Sequence, residues 1–89
     1  MNSFLTPQFL KLYKTLPEQI RQQAREAYRL FLVDPHHPSL RFRRVHPSRP
    51  VFSARIGIDY RVVGIREGND IHWFWIGSHA EYDHLLKQL

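Results

Sequence analysis

Two side chains near the carboxyl end of the chain are of types that suit acid–base chemistry. His79 and Tyr82 are three residues apart, so on a helix the imidazole and the phenol would lie on one face. Ser78 is followed three residues later by Glu81, which is the spacing of a capping box and predicts a helix from Ser78 to the end. The free N–H groups and dipole of such a helix start attract anions and disfavour a charged imidazole, which suits a neutral base. The pair therefore indicates a site that could bind a phosphate and act on it.

Arginine supplies most of the positive charge that this chemistry needs. The 89 residues carry a formal net charge of +5, and ten of the 13 basic residues are arginine. The planar guanidinium group matches phosphate oxygens in pairs, so the charge favours nucleic acid or an acidic protein as the partner. A basic surface that is merely solvated accounts for the charge equally well.

The composition excludes several other kinds of site. The absence of cysteine excludes disulfides and thiolate metal sites, and the six histidines match no familiar zinc-binding spacing. The chain also has no glycine-rich phosphate loop and no nucleophile elbow around Ser78. No apolar segment is long enough to span a membrane, and the N-terminus lacks the pattern of a secretion signal. We therefore expect a cytoplasmic protein that uses no metal or other cofactor.

Hydrophobic periodicity predicts the elements that must position these residues. Thr6-Pro7 predicts the start of a first helix, and a capping-box spacing from Thr15 to Glu18 predicts a second helix that ends at Asp34-Pro35. Strands are predicted over residues 3–5, 40–43, 51–58, 60–65 and 71–76, and Gly77 is expected to form the bend into the terminal helix. The sum is one α+β domain over residues 1–89. In it, an N-terminal helical hairpin packs on a small twisted antiparallel sheet that has a C-terminal helix.

The alternation within the strands assigns side chains to faces. The even-numbered residues of 51–56 are apolar and should face the helices, so Ser53 and Arg55 should point into the uncovered face of the sheet. Arg41 and Arg43 are expected to join them there. Together with Ser53, these two arginines are the predicted RNA contacts.

Cleavage of RNA without a metal requires three chemical roles. A base must remove the proton from the 2′-hydroxyl, an acid must protonate the leaving alkoxide, and fixed positive charge must stabilise the phosphoryl oxygens. We predict His79 as the base and Arg61 and Arg55 as the charge stabilisers, although the face of Arg61 depends on a register that the sequence does not fix. Tyr82 would stack on a nucleobase or deliver a proton. In the alternative interpretation, His79 bonds the backbone, Tyr82 packs in the core and the arginines only solvate the sheet.

Several motifs resemble the RelE/ParE superfamily of bacterial toxins over nearly the whole chain. The motifs are Leu16-Pro17, Asp34-Pro35, Pro38-Ser39-Leu40, Val51–Ile56, Asp59–Val62 and Ile76–Asp83. The terminal Gly-x-His-x-Glu-Tyr-Asp is most similar to the HigB branch. The resemblance implies a microbial-RNase-like fold. It also implies an mRNA interferase, a toxin that cleaves messenger RNA in the ribosomal A site without a metal, inhibits translation and is held inactive by a cognate antitoxin.

The resemblance also implies roles for individual residues. Arg61 matches the phosphate-binding arginine of the family, and Arg55 falls where RelE-type members place a basic residue proposed as the acid. His79 and Tyr82 match the histidine and tyrosine of the HigB-like ending. Ser53 stands where RelE has a lysine that serves as its base, so the base would have to be His79. The terminal arginine and the more distant tyrosine of RelE have no clean counterparts.

Two other functions remain open. ParE-like members of the superfamily poison DNA gyrase and generally lack the catalytic set, so the retained histidine, tyrosine and arginine argue against that activity. A third alternative is a toxin fold that has lost activity and binds only an antitoxin or RNA. For an active toxin we expect an acidic or amphipathic antitoxin segment to cover the basic groove or the apolar flank of the terminal helix. That flank consists of Leu85, Leu86 and Leu89.

Overall fold

The computed structural model describes all 89 residues and is built around a five-stranded sheet. The strands are β1 (Asn2–Leu5), β2 (Arg43–Arg44), β3 (Val51–Ile56), β4 (Tyr60–Glu67) and β5 (Asp70–Ser78). They lie in the spatial order β1-β5-β4-β3-β2, and every neighbouring pair is antiparallel except β1 and β5, which are parallel. The α+β class and the edge strand at the N-terminus are confirmed, but the sheet is mixed. The direction of β1 was not predictable because its partner lies almost the whole chain away.

Three helices complete the fold. They are α1 (Pro7–Lys14), α2 (Glu18–Val33) and α3 (His79–Gln88). The start of α1 is as predicted, since the Thr6 hydroxyl accepts a hydrogen bond from the N–H of Phe9 at 3.2 Å and Pro7 occupies the first helical position. Helix α2 ends before Asp34-Pro35, also as predicted.

The capping box predicted from Thr15 to Glu18 is wrong. Helix α2 begins after Pro17 without a side-chain cap, and the Thr15 hydroxyl donates to a carbonyl of α1. The Glu18 carboxylate instead accepts hydrogen bonds from Arg21 at 2.6 Å and from Arg25 at 2.8 Å. Because two guanidinium groups occupy this carboxylate, it does not reach back to the helix start.

The strand predicted over residues 40–43 is largely wrong. Pro38–Leu40 form a turn of 3₁₀ helix, Arg41 follows with a φ of 45°, and β2 contains two residues only. Leu40 is 3% exposed, so the turn delivers this side chain into the core in place of an extended pairing with β3. Arg41 therefore lies in the connection between this turn and β2, and not within a strand.

The first core lies between the helical hairpin and one face of the sheet. Its buried members are Phe9, Ala24, Phe31, Leu40, Ala54, Ile56, Val62, Ile71, Trp73 and Ile76. The predicted orientation of the even-numbered β3 residues toward the helices is therefore confirmed. Trp73 packs edge-on against Phe31 with ring centroids 5.4 Å apart, and its indole N–H donates to Ser3 at 3.0 Å. This side chain thereby ties β1 and α2 to β5.

Helix α3 covers part of the opposite face, which the sequence analysis treated as uncovered. A second core forms there around Val51, Val63 and Tyr82, which are 0%, 0% and 6% exposed. The leucines of the terminal helix pack against this core. The apolar flank at Leu85, Leu86 and Leu89 that was expected to receive an antitoxin is thus directed toward the protein's own sheet.

Gly77 does not form the predicted bend. It lies within β5, which continues to Ser78, and it leaves room for the ring of Trp75. A Cβ atom at this position would lie 2.5 Å from that ring. The strand also carries a bulge opposite Val63/Gly64, and both Phe74 and Trp75 pack on the second core. Gly77 is therefore required for close packing and not for a turn.

The capping box that starts α3 is confirmed. The Ser78 hydroxyl accepts a hydrogen bond from the Glu81 N–H at 3.2 Å, and the Glu81 carboxylate accepts one from the Ser78 N–H at 2.9 Å. The backbone N–H of Ser78, which donates to the Glu81 carboxylate, lowers the pKa of Glu81 below its usual value, and the adjacent Ser78 hydroxyl lowers it further. The cap makes His79 the first helical residue and fixes where its side chain leaves the sheet.

We expect Ser78→Ala to lower the free energy of unfolding by about 1 kcal/mol, because the helix start loses its hydrogen-bond acceptor. Urea denaturation of the variant and the parent measures the difference. Ser48→Ala is the matched control, because Ser48 is exposed and its hydroxyl makes no hydrogen bond within the protein. An equal loss in both variants would contradict a capping role for Ser78.

The carboxylate of Glu81 should also make stability depend on pH. Its pKa is lower in the folded protein than the ordinary value of 4.5. Its contribution is therefore complete above the unfolded pKa and is lost as the pH falls through the folded pKa. Unfolding measured from neutral to acidic pH should show the parent losing more stability than Glu81→Gln in this window. Parallel curves for the two proteins would contradict this assignment.

Candidate functional site

A basic groove of about 380 Å³ lies where α3 begins beside the middle of the sheet. Its walls come from the connection before β2, from β2, β3 and β4, and from the first turn of α3. The lining residues are Arg41, Arg43, Ser53, Ala54, Arg55, Arg61, His79 and Tyr82. Every candidate site residue named from the sequence therefore lies on this one groove, although these residues span half of the chain.

Arg55 and Arg61 form the centre of the groove. They are directly opposite each other on the antiparallel strands β3 and β4, which fixes the face of Arg61 that the sequence left open. One guanidinium nitrogen of Arg61 donates to the carbonyls of Ile58 and Tyr60, at 3.0 and 2.8 Å. Burial lowers the pKa of Arg61, and the nearby charge of Arg55 lowers it further. Like charges directly opposite each other on neighbouring strands repel. An anion bound between the two guanidinium groups would relieve this repulsion and accept hydrogen bonds from both.

His79 stands at the end of the groove with its side chain half exposed. Its backbone N–H donates to the carbonyl of Asp59 at 2.6 Å, which ties the start of α3 to the β3–β4 turn. Its ring makes no hydrogen bond to the backbone, and its Nδ1 atom lies 3.3 Å from the Asp83 carboxylate. The Nε2 atom therefore remains available to a ligand in the groove.

Tyr82 lines the groove but is almost completely buried. The residue is 6% exposed, and its hydroxyl donates to the Oγ atom of Ser53 at 3.0 Å. Its ring packs in the second core, 6.1 Å from the His79 ring centroid, so it offers no open face on which a nucleobase could stack. Ser53 is itself 4% exposed and lies at the floor of the groove with its own hydroxyl proton free to be donated.

Arg41 and Arg43 form the outer wall. Arg43 lies directly opposite Ser53 on the neighbouring strand, and both arginines are exposed. Arg41 adopts φ 45° and ψ 44°, a left-handed conformation that costs a residue with a Cβ atom about 1–2 kcal/mol. Backbone strain of this kind is concentrated at functional positions, and here it accompanies a cationic side chain on the groove.

Asp83 is a neighbour of this site that was not predicted from the sequence. It lies one helical turn after His79, so the i,i+4 spacing within the predicted helix was the signal that could have found it. Its negative charge also reaches Arg61, where it opposes part of the effect of burial on that pKa. The groove is therefore basic at its centre and carries one carboxylate at its edge.

A second cavity lies beneath the helical hairpin but has a different character. It encloses about 200 Å³, and 13 of its 15 lining residues are hydrophobic. Such a lining provides no converging polar groups for chemistry, so the basic groove is the candidate site. The structure contains no cluster of three His, Asp or Glu side chains that could hold a metal ion. None of its helices has the length and apolar character of a membrane span.

Comparison with solved structures identifies proteins that share this fold. YafQ from Escherichia coli strain BL21(DE3) superposes with a TM-score of 0.71 at 13% identity, covering 91% of this chain and 96% of YafQ. A chain of the RelB–RelE antitoxin–toxin complex from Methanococcus jannaschii gives 0.71 at 17% identity, with coverages of 91% and 96%. The isolated E. coli RelE toxin gives 0.63 at 15% identity, with coverages of 99% and 98%. At these identities the likeness shows the fold alone.

The sequence itself provides the family assignment. No curated protein matches it. A family model described as a ParE-like toxin domain matches residues 18–84, a range that includes every residue of the basic groove. Since this range is most of the chain, the protein belongs to the ParE-like toxin domain family of the RelE/ParE superfamily.

Proposed function

We propose that this toxin is a metal-independent, ribosome-dependent endoribonuclease that cleaves messenger RNA and inhibits translation. The observation that carries the proposal is the meeting of two opposed guanidinium groups, Arg55 and Arg61, with a half-exposed imidazole at one groove. Fixed positive charge beside an available base is the arrangement that phosphodiester cleavage requires. The similarity of the terminal motif to the HigB branch supports the same activity.

In the proposed reaction, the Nε2 atom of neutral His79 takes the proton from a ribose 2′-hydroxyl. The 2′-oxygen then forms a bond to the adjacent phosphorus, and the bond from phosphorus to the 5′-oxygen breaks. One fragment ends in a 2′,3′-cyclic phosphate, and the departing 5′-oxygen takes a proton from water to become a hydroxyl. The imidazolium afterwards returns its proton to solvent, so protons and charge balance.

Arg61 and Arg55 stabilise the negative charge that grows on the phosphoryl oxygens in this scheme. The hydrogen bonds from Arg61 to two backbone carbonyls hold its guanidinium group in place before substrate arrives, which makes it a preorganised donor. Arg55 matches a position proposed as the acid in RelE-type toxins. A guanidinium group scarcely releases a proton, so we assign Arg55 a hydrogen bond to the leaving 5′-oxygen.

The remaining lining residues would hold the RNA on either side of the cleaved bond. Arg41 and Arg43 are exposed and placed to contact flanking phosphates, and the Ser53 hydroxyl can donate to a substrate oxygen. Tyr82 fixes the orientation of Ser53 through its hydrogen bond to Oγ. Its proposed role is therefore to position Ser53, and not to stack on a base.

The proposed partners are the ribosome with its mRNA and a cognate antitoxin, which places the activity in the cytoplasm. The RelE-type protein from M. jannaschii was crystallised as an antitoxin–toxin complex. Because the leucines of α3 are engaged in the second core, we favour the basic groove over the helix flank as the surface that the antitoxin covers. An acidic antitoxin segment would complement the groove arginines.

A translating extract tests the proposal. The wild-type protein should produce mRNA cut at ribosomal A-site codons, and His79→Ala and Arg61→Ala should each lower the cleavage rate by about 10²–10³ or more. Arg29→Ala is the matched control for charge, because Arg29 is exposed on α2, away from the groove. It should cleave like the wild type.

The same experiment separates the alternatives. Intact transcripts in the presence of wild-type protein would end the nuclease proposal. If the protein then blocked supercoiling by DNA gyrase, it would be a gyrase poison like other ParE-like members. If it blocked neither process and expression without antitoxin left growth unchanged, it would be a toxin fold that only binds antitoxin or RNA.

The strained arginine offers a second test. We expect Arg41→Gly to weaken RNA binding without lowering the melting temperature. Relief of about 1–2 kcal/mol of left-handed strain offsets the roughly 0.5–1 kcal/mol of chain entropy that glycine adds. Arg43→Gly is the matched control, since it removes a groove arginine from an extended strand and should lower both affinity and stability. RNA binding at fixed salt and thermal unfolding provide the readouts. Equal destabilisation by both substitutions would contradict the strain argument.

A further inference from the structure

Asp83 occupies a position that neither fold stability nor substrate binding explains. Its carboxylate lies 3.3 Å from Nδ1 of His79, with side chains that are 57% and 50% exposed. An exposed ion pair one helical turn apart contributes only a few tenths of a kcal/mol. A carboxylate beside a groove for phosphates also repels the ligand that the arginines attract.

Apart from Asp83, the polar groups around His79 either have other hydrogen-bond partners or are donors. The Tyr82 hydroxyl is committed to Ser53, and the Glu81 carboxylate is committed to the start of the helix. Asp59 contributes its carbonyl, which accepts the backbone N–H of His79 and not the ring. The arginines that face the groove, which are Arg41, Arg43, Arg55 and Arg61, are all donors.

A neutral imidazole carries its proton on either Nδ1 or Nε2, and only an unprotonated Nε2 can accept a proton from a substrate in the groove. The negative charge of a carboxylate 3.3 Å from Nδ1 favours a proton on that nitrogen, and so favours the tautomer with the lone pair on Nε2. We propose that Asp83 is a positioning residue that keeps the proton of neutral His79 on Nδ1 and directs the basic Nε2 atom to the groove. The inference rests on the proposed nuclease function.

The first measurement is made on the free protein and does not depend on cleavage. Nitrogen-15 chemical shifts of the His79 ring, at a pH where the imidazole is neutral, report which nitrogen carries the proton. We expect the wild type to carry it predominantly on Nδ1 and Asp83→Asn to shift the population toward Nε2. Glu26→Gln is the matched control, because it removes one exposed carboxylate on α2 and changes the net charge equally.

The second measurement is the cleavage rate in the translating extract. Asp83→Asn should lower the rate roughly 10- to 100-fold, the range found when the carboxylate partner of a metal-bound histidine is removed. RNA affinity should be unchanged or higher, because a negative charge has left the groove. Asp83→Glu should recover part of the rate, and Glu26→Gln should retain all of it.

Two results would overturn the inference. One is an unchanged His79 tautomer in Asp83→Asn, and the other is a rate equal to or above that of the wild type, which would make Asp83 only a repulsive charge. If the wild type fails to cleave RNA, the nuclease proposal fails alone, and the tautomer populations still decide whether Asp83 orients the ring.

Discussion

Two guanidinium groups held opposite each other, on Arg55 and Arg61, are the constraint around which this small protein is arranged. When no anion is present, interactions elsewhere in the protein have to offset the repulsion between these two charges. The β3–β4 turn meets part of this demand, because its Ile58 carbonyl accepts a hydrogen bond from Arg61 and its Asp59 carbonyl accepts the N–H of His79. The turn therefore holds the charge and the proposed base in one rigid unit. A phosphate entering the groove would meet donors that are already in place.

The stability that supports this unit comes from burying both faces of the sheet. The helical hairpin covers one face, and α3 covers only part of the other, where Val51 and Val63 are fully buried. The part of the second face beside the first turn of α3 is left open, and the groove occupies this open part. One helix thus completes the second core and provides the wall of the site, so the packing of Tyr82 and the position of His79 cannot vary independently.

Local signals in the sequence were sufficient to predict where α3 begins and which side chains of β3 face the helices. The cap at Ser78 forms because its two partners are three residues apart and nothing else competes for them. The same spacing at Thr15 did not form a cap, because arginines one and two turns along α2 occupy Glu18. The left-handed Arg41 was likewise unpredictable, since it follows a turn of 3₁₀ helix whose Leu40 side chain packs in the core through contacts distant in the sequence. Coverage of the second face could have been inferred, because apolar residues at both Val62 and Val63 are typical of a strand buried on both sides.

The chemistry of the groove has a consequence for how such a toxin would be controlled. Its positive charges are all arginines, which stay protonated at every physiological pH, so the groove remains ready to bind phosphate. An acidic antitoxin segment would be recognised by these same guanidinium groups. If RNA and antitoxin bind this same set of charges as proposed, inhibition would need no conformational change in the toxin.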